Sequence, residues 1–530
     1  MINQLFARKP AEWVASDIKT NQLKRVLSRW NLTTMGVGAI IGAGIFVMTG
    51  LAAREYAGPA LAISFIIAGL GCSFAALCYA EFASIYPVEG SAYSYSYATI
   101  GELFAWIIGW DLILEYAMAA STVAVGWSGY FGKLLGLLHI HLPLWISNDL
   151  QTARALVAEA SNNGTMPVLE QHYTSLALPE VFGISLAINL PAIIIVLIVT
   201  AIITIGVRET AGTNLWLVAI KVSVVLFVIV AGVFFIDTAN WSPFIPARGL
   251  NGEGVMAFGL AGITAGAAYI FFAYIGFDAV ATQAAESKNP TKDLPFAIIA
   301  SLVICTILYI AVSLVVTGMV NYTLLDKAAP VAAAFMGRGM NFAVWIISIA
   351  AVAGLTSVLL VMTMGQTRIL MAMSKDGLLP AKIFAYVHPR LKTPSRSSIL
   401  VGILIALVAG FTPIDTIAKL VNIGTLLAFV LVCISVWRLR YTQPDLPRPF
   451  RVKALPLVAI LGIVFNFGMM LSLEWENWLR LLIWLLIGLA IYFFYSRKRS
   501  LLGKHLKEGN ETFHQIGEKH DHDKPTINNE

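Results

Sequence analysis

Long apolar segments alternate with short polar ones along almost the whole of this chain. A helix needs about 20 apolar residues to cross a bilayer, and twelve segments come near that length. They lie at residues 33–55, 60–86, 101–136, 185–206, 212–236, 257–284, 296–319, 341–374, 397–412, 416–437, 454–473 and 477–496. The pattern predicts an all-α polytopic membrane protein with twelve transmembrane helices, here called spans one to twelve.

The composition agrees with this pattern. Of the 530 residues, 58% are hydrophobic and only 12% are charged, and the mean hydropathy is +0.77. A soluble chain of this length would form several domains, with about 25% charged residues to cover them. The chain has too few charges for that, so a soluble enzyme is excluded and the lipid bilayer is the predicted environment.

The basic residues predict an orientation. Most of the 36 Lys and Arg residues fall in the polar segments that share one side with the N-terminus. Cytoplasmic loops carry such an excess, so both termini are predicted to lie in the cytoplasm of a multi-pass cell-membrane protein. The basic residues of the cytoplasmic segments therefore account for the net charge of +6, and no nucleic-acid partner has to be assumed. A short amphipathic surface helix is predicted over residues 17–30.

Glycines interrupt two of the spans at matching positions. Span one holds Gly36, Gly38, Gly42 and Gly44, and span six holds Gly276 near its middle. The spacing Gly38-x-x-x-Gly42 fits tight helix packing as well as it fits an unwound segment. Interrupted helices at equivalent places in two five-span halves, however, are typical of transporters built from inverted repeats.

Interrupted helices have a binding chemistry of their own. Unwound backbone at membrane depth is tolerated only where it lines a cavity. There, N–H groups at the start of one half-helix bind a carboxylate, and carbonyl groups at the end of another bind an ammonium group. The residues thus predict a small zwitterionic solute.

Several motifs resemble the amino acid–polyamine–organocation (APC) transporters, in particular the bacterial branch of the cationic amino acid transporters. The resemblance covers about residues 23–495. The motifs that carry it are Gly42-Ala43-Gly44-Ile45-Phe46, Tyr79-Ala-Glu81-Phe, Gly109-Trp110 through Glu115-Tyr116, Phe271 through Asp278, and Gly365-Gln366-Thr-Arg368.

The resemblance implies a LeuT-like fold of two inverted five-helix repeats plus two further helices, with helices one and six broken. The implied layout is a cytoplasmic N-terminal segment (1–32), a first repeat (33–236, with an external loop at about 137–184), a second repeat (257–437), helices eleven and twelve (454–496) and a cytoplasmic tail (497–530).

The resemblance also implies a binding site. The substrate carboxylate would lie on the backbone N–H groups of Gly42, Ala43 and Gly44. Phe272 would close the site from outside, and Leu355 would form a wall that favours small or neutral side chains. The amine would meet the backbone carbonyls of Ile40, Ile41, Phe272, Ala273 and Ile275.

Lys221 is the most informative charge inside a span. It lies about 14 Å along span five from the predicted cytoplasmic end, where a lysine costs on the order of 3 kcal/mol. Burial lowers a lysine's pKa, so Lys221 is a candidate proton carrier. The alternatives are a permanently charged structural cation and a side chain that extends to the surface. By the resemblance, Thr356 and Ser357 are its neighbours.

Four of the carboxylates within spans are candidates for a role. Asp111 and Glu115 share one face of span three because they are four residues apart. Glu115 is interpreted either as a proton partner of Lys221 or as a structural group. Asp278 either orients the second half of span six or approaches the substrate, and Glu81 is expected to fix an inner gate or a loop.

The predicted function is secondary active transport of L-amino acids, with proton-coupled symport by alternating access favoured. The alternative is an ion-independent amino acid exchanger, possibly of cationic amino acids. An enzyme is disfavoured, because nucleophile–base, P-loop and H-E-x-x-H motifs do not occur. No metal, cofactor or nucleic acid is predicted, and a small auxiliary subunit is left open.

Overall fold

The computed structural model describes residues 2–10, 27–86, 91–162, 164, 166–206, 211–251, 256–278, 280, 287–391 and 393–508. Most of the amphipathic helix predicted over 17–30 lies outside these ranges, as does the tail beyond 508. The described chain is mostly helical. Its strands form two short antiparallel hairpins in the connections, Glu180–Val181 with Ile184–Ser185 and Gly249–Leu250 with Met256–Ala257.

Helix lies in each of the twelve apolar segments, which confirms the all-α class. Span one is α1 (Arg29–Ile40) followed by α2, a run made of π-helix Gly44–Met48, α-helix Thr49–Ala52 and π-helix Ala53–Ala57. The helices that follow are α3 (Leu61–Ile85), α4 (Ser91–Thr99), α5 (Glu102–Leu137), α6 (Leu150–Asn162), α7 (Leu190–Ile205), α8 (Ala211–Val233), α9 (Gly259–Ile270), α10 (Pro290–Met319), α11 (Pro330–Met336), α12 (Asn341–Lys375), α13 (Ser395–Phe411), α14 (Ile414–Thr442), α15 (Leu455–Leu471) and α16 (Trp475–Ile491).

Among the described residues, six helical stretches are long and apolar enough to cross a membrane. They are Gly44–Ile85, Glu102–Leu137, Pro290–Met319, Asn341–Lys375, Ile414–Thr442 and Trp475–Arg499. Five shorter apolar helices accompany them. Gly58, with a positive φ of 59°, bends the first stretch between α2 and α3, a conformation that glycine adopts without steric cost.

Local sequence explains where individual helices begin. At α7 the Asn189 side chain accepts a hydrogen bond from the backbone N–H of Ala192, 3.1 Å away, and Pro191 occupies the first turn. An asparagine cap followed by proline satisfies or removes amide groups that have no partner inside the helix. The apolar run then continues as helix up to Gly206.

The broken helices lie in the interior of the bundle. α5 packs against α12 and α14, α3 packs against α10, and α1 packs against α10, α8 and α12. The outer helices turn large apolar side chains outward, for example Leu482 and Leu486 of α16, which are 53% and 56% exposed. Apolar outer faces of this kind suit a surrounding of lipid rather than water.

Two tryptophans join the outermost helix to the bundle. The indole N–H of Trp110 on α5 donates to the carbonyl of Trp484 on α16 over 2.9 Å, and that of Trp484 donates to the carbonyl of Trp110 over 3.1 Å. Their rings stack with centroids 4.5 Å apart. Trp106 also stacks on Trp110, with ring centroids 5.8 Å apart. The reciprocal pair fixes α16 to α5.

Candidate functional site

Span one is interrupted where its glycines cluster. α1 ends at Ile40, Ile41 is extended (φ −71°, ψ 97°), and helix resumes at Gly44. The N–H groups of Gly42, Ala43 and Gly44 therefore precede or begin the first turn of a new helix. Amide groups in that position have no partner within the helix and form the positive end of the helix dipole.

Span six is interrupted at the same depth. α9 passes into the 3₁₀ turn Phe271–Tyr274, Ile275 is extended (φ −60°, ψ 133°), and Gly276 has a positive φ of 120°. An added Cβ on Gly276 would lie 3.0 Å from the backbone carbonyl of Ala39. Glycine is thus required at position 276 both by conformation and by the nearness of α1.

The two interruptions are in direct contact. A Cβ added to Gly44 would lie 2.3 Å from the Cα of Ala273, so no other side chain fits at position 44 without moving the backbone. Tyr309 of α10 connects them as well. Its hydroxyl lies within hydrogen-bond distance of the carbonyls of Ile40 (2.7 Å) and Ala273 (2.8 Å), which share its single proton.

A small buried cavity lies at this crossing. Its volume is about 10 Å³, roughly the room for one water molecule, and its lining residues are all buried. No charged side chain is among them. They are Ala39, Ile40, Gly42, Ala43, Gly44, Ala119, Val123, Phe272, Ile275, Val358 and Met362.

Six of the residues predicted for the substrate site line this cavity: Ile40, Gly42, Ala43, Gly44, Phe272 and Ile275. Ile41 and Ala273 are buried beside them. On α12 the cavity wall consists of Val358 and Met362 rather than Leu355. Leu355 is fully buried and lies on the same helix face, about 4.5 Å further along the axis.

Lys221 lies at the end of α1. It is 1% exposed, and its Nζ donates to the carbonyl of Gly38 over 2.9 Å. Its methylene chain lies on Gly354 of α12, where an added Cβ would lie 3.1 Å from the Lys221 Cε. Lys221 thus sits between spans one and eight. A cation is favourable there because carbonyls at the end of a helix carry partial negative charge.

Thr356 and Ser357 lie close to this contact in sequence. The hydroxyl of Thr356 accepts from the indole N–H of Trp127 over 3.0 Å and donates to the carbonyl of Val352 over 2.7 Å. Ser357 is buried, at 6% exposure. The hydrogen bonds of Thr356 join α12 to α5.

The carboxylates of span three form a separate polar cluster. Asp111, Glu115 and Asp278 are all buried, and the charged neighbours of Glu115 are Asp111 and Asp278. The hydroxyl of Tyr116 donates to Asp278 over 2.9 Å. Neither Asp111 oxygen has a hydrogen-bond partner among the described residues. This cluster joins α5 to the second half of span six and to α14, where Asp111 packs on Gly424.

Ion pairs tie α2 to the loops on the predicted external side. Arg54 pairs with Glu159 of α6 and contacts Glu55 at 3.5 Å, and Lys327 pairs with Glu55 at 3.1 Å. Nearby, Lys133 pairs with Asp326 at 2.8 Å. Burial opposes ionisation of Asp326, but the Lys133 charge and backbone hydrogen bonds outweigh it and lower the Asp326 pKa to about 2.

Two buried carboxylates organise the predicted cytoplasmic side. Glu81 pairs with Arg440 and Arg448 and accepts from the Val452 N–H at 2.8 Å, so it fixes the connection between α14 and α15. Glu102 accepts hydrogen bonds from four side chains: that of Gln4 near the N-terminus, that of Tyr97 on α4, and those of Tyr492 and Ser500 after α16.

A neighbouring contact ties the N-terminal segment to the end of α12. Lys9 pairs with Asp376 over 3.0 Å, and the hydroxyl of Tyr93 donates to the same carboxylate over 2.7 Å. Burial and, secondly, the Asp376 charge raise the pKa of Tyr93 well above its usual value. Tyr93 therefore stays a neutral donor to Asp376 at physiological pH.

Membrane-length helices, together with two interrupted helices that cross at a buried cavity, are typical of a membrane transport protein. The model of the amino acid permease family matches residues 27–495, so the chain belongs to that family, a branch of the APC superfamily.

Relatives of known name agree with this class. The chain is 44% identical to a methylthioribose transporter of Bacillus subtilis and 45% identical to the branched-chain amino acid permease BcaP of the same organism. Both alignments cover 95% of this chain and 100% of the relative. A vacuolar cationic amino acid transporter of Arabidopsis thaliana is 38% identical over 84% of this chain and 64% of its own length.

Proposed function

We propose that this protein transports neutral L-amino acids across the cell membrane by proton-coupled symport. The observation that carries the proposal is the crossing of two interrupted helices at a cavity lined by Gly42, Ala43 and Gly44. The N–H groups there would bind the substrate carboxylate. Carbonyls of the first and second interruptions, those of Ile40, Ile41, Phe272, Ala273 and Ile275, would bind the amine.

The apolar walls of the cavity support a neutral substrate side chain. Val123, Val358 and Met362 offer no charge or hydrogen bond to a guanidinium or ammonium group. Burying an unpaired charge costs several kcal/mol, so arginine should compete at least about 100-fold more weakly than leucine. A relative is named a branched-chain amino acid permease, in agreement with such walls.

Binding requires the cavity to enlarge, because about 10 Å³ does not hold an amino acid. Phe272 and Met362 are the large lining side chains whose movement would open it. Ion pairs lie towards both ends of the bundle, Glu55 with Lys327 at one and Lys9 with Asp376 at the other. Alternating access would break these contacts in turn.

Lys221 is the proposed proton carrier. Its bond to the Gly38 carbonyl ties its charge to α1, the half of span one that would move when the cytoplasmic side opens. Movement of α1 would remove that acceptor and favour release of the proton. Glu115, with Asp111 and Asp278 as its charged neighbours, is proposed as a second group that exchanges protons.

The same Lys221–Gly38 contact also supports a second candidate, an ion-independent amino acid exchanger. A lysine held by a helix-end carbonyl would stay protonated throughout the cycle and act only as a fixed cation. The two candidates differ in whether a proton gradient drives accumulation.

The test is uptake of L-leucine into proteoliposomes, with and without an inward proton gradient. We expect wild type to accumulate leucine only with the gradient. Lys221→Ala should retain leucine counterflow and lose accumulation, whereas the exposed-lysine control Lys292→Ala should behave as wild type. Gradient-driven accumulation by Lys221→Ala would refute the proton role. Counterflow without any gradient effect in wild type would establish the exchanger.

Competition in the same vesicles tests the substrate class. L-leucine and L-alanine should compete, and L-arginine should compete weakly. Methylthioribose is included because a relative is named for its transport. Inhibition by methylthioribose with none by any amino acid would overturn the amino acid assignment.

We further propose twelve spans in a LeuT-like arrangement of inverted repeats, with both termini in the cytoplasm. The four native cysteines are buried, so a membrane-impermeant thiol reagent should report only an introduced cysteine. Lys507→Cys, at an exposed position, should react in inside-out vesicles and not in intact cells. The opposite result would reverse the orientation.

A further inference from the structure

Tyr309 lies in the middle of α10, outside the residues predicted to touch the substrate. Its hydroxyl oxygen is 2.7 Å from the Ile40 carbonyl oxygen and 2.8 Å from the Ala273 carbonyl oxygen. The first carbonyl belongs to the end of α1 and the second to the turn that interrupts span six. One side chain of a third helix therefore holds both interruptions.

The distances have a chemical meaning. Two carbonyl oxygens that point at a common atom repel each other, and a hydroxyl proton between them offsets the repulsion. Hydrogen bonds from an ammonium nitrogen are about 2.7–2.9 Å long, so the hydroxyl keeps the two oxygens at a spacing that one ammonium nitrogen can also bridge. Each carbonyl has two lone pairs, which leaves each able to accept from a ligand as well.

The tyrosine ring is held firmly. Tyr309 is fully buried, and its ring packs against Phe65 at 5.4 Å and against Tyr274 at 5.5 Å. The hydroxyl of Tyr274 donates in turn to the Phe65 carbonyl over 2.8 Å. With its ring fixed between α3 and the second interruption, the Tyr309 hydroxyl has a fixed position.

We propose that Tyr309 is a positioning residue for the substrate amine: its hydroxyl holds the Ile40 and Ala273 carbonyls convergent, and so preforms their part of the ammonium site. The proposal rests on the proposed amino acid transport. It predicts that removing the hydroxyl weakens recognition of the amine and leaves recognition of the carboxylate and side chain intact, because those groups meet other parts of the site.

The experiment uses Tyr309→Phe, which keeps the ring and removes only the hydroxyl. Inhibition of labelled L-leucine uptake is measured with L-leucine and with its amine-free analogue 4-methylpentanoate. We expect the half-inhibitory concentration of L-leucine to rise about tenfold, which corresponds to about 1.4 kcal/mol. The half-inhibitory concentration of 4-methylpentanoate should not change. The ratio of the 4-methylpentanoate value to the L-leucine value, which measures the preference for the amine, should therefore fall about tenfold.

Tyr130→Phe is the matched control, because it removes a buried hydroxyl that donates to another backbone carbonyl of span one, that of Phe46 over 2.6 Å, and contacts neither of the carbonyls that Tyr309 holds. It should leave the preference unchanged. Equal losses in both variants, no change in Tyr309→Phe, or tighter leucine binding in that variant would each overturn the proposal. If 4-methylpentanoate does not inhibit wild type, the L-leucine values of the two variants decide. A wild type that transports no amino acid would instead refute the proposed function.

Discussion

Gly44→Ala tests whether the contact between the two interruptions makes the binding site. The added methyl carbon would lie 2.3 Å from the Cα and 2.4 Å from the Cβ of Ala273. Carbon atoms pack at about 3.5–4.0 Å, so the interruptions must separate by roughly 1.2 Å. A displacement of about 1 Å in a preorganised site can cost on the order of 100-fold. We therefore expect leucine uptake at limiting substrate to fall by at least about 30-fold.

The assay is initial leucine uptake in proteoliposomes, normalised to folded protein by size-exclusion chromatography. Gly468→Ala is the control, since Gly468 lies in helix α15 and an added Cβ there meets nothing within 4 Å. It should transport as wild type does. Uptake within twofold of wild type in Gly44→Ala would refute the reasoning that this close approach is needed for binding.

Two further predictions concern the charge networks. Glu81→Gln removes a buried charge that faces Arg440 and Arg448. Breaking such a pair costs about 3–5 kcal/mol, so thermal stability in detergent should fall clearly, and a melting temperature equal to wild type would contradict this. Asp326→Asn keeps an oxygen that can accept from the Ala328 and Ala329 N–H groups but loses the charge beside Lys133. Because folding lowers the Asp326 pKa to about 2, its stabilisation is present above pH 4 and is lost as pH falls towards 2. The variant should be less stable by up to about 2 kcal/mol at pH 7, and melting curves from pH 7 to pH 2 should converge; a constant difference would contradict the assignment.

The helices were predictable because each apolar run is long enough to indicate a helix by itself. The interruption of span one was also visible, since glycines at positions 36, 38, 42 and 44 weaken a helix. The π-helical turns of α2 were not visible. Their residues show no pattern that distinguishes π-helix from α-helix, and their winding depends on what packs around them.

The residues of α12 that line the cavity could not be identified without the structure. Leu355, Val358 and Met362 share one face of α12, and a periodic pattern identifies that face. It does not say at which depth the face meets the cavity, since one turn shifts the position by about 5.4 Å. Tyr309 gave only a weak signal, because it is one of five hydroxyl side chains within the apolar run of span seven. Its two carbonyl partners come from distant parts of the chain.

The reciprocal tryptophan pair between α5 and α16 also has an optical consequence. Trp110 and Trp484 stack 4.5 Å apart, and Trp106 stacks on Trp110 as well, so the electronic transitions of the three rings couple in a fixed arrangement. Such an arrangement contributes to the near-ultraviolet circular dichroism, which disappears when specific packing is lost. The protein therefore carries its own spectroscopic marker for the attachment of its last long helix. That marker lies away from the cavity-lining residues, so loss of its signal would report unfolding rather than ligand binding.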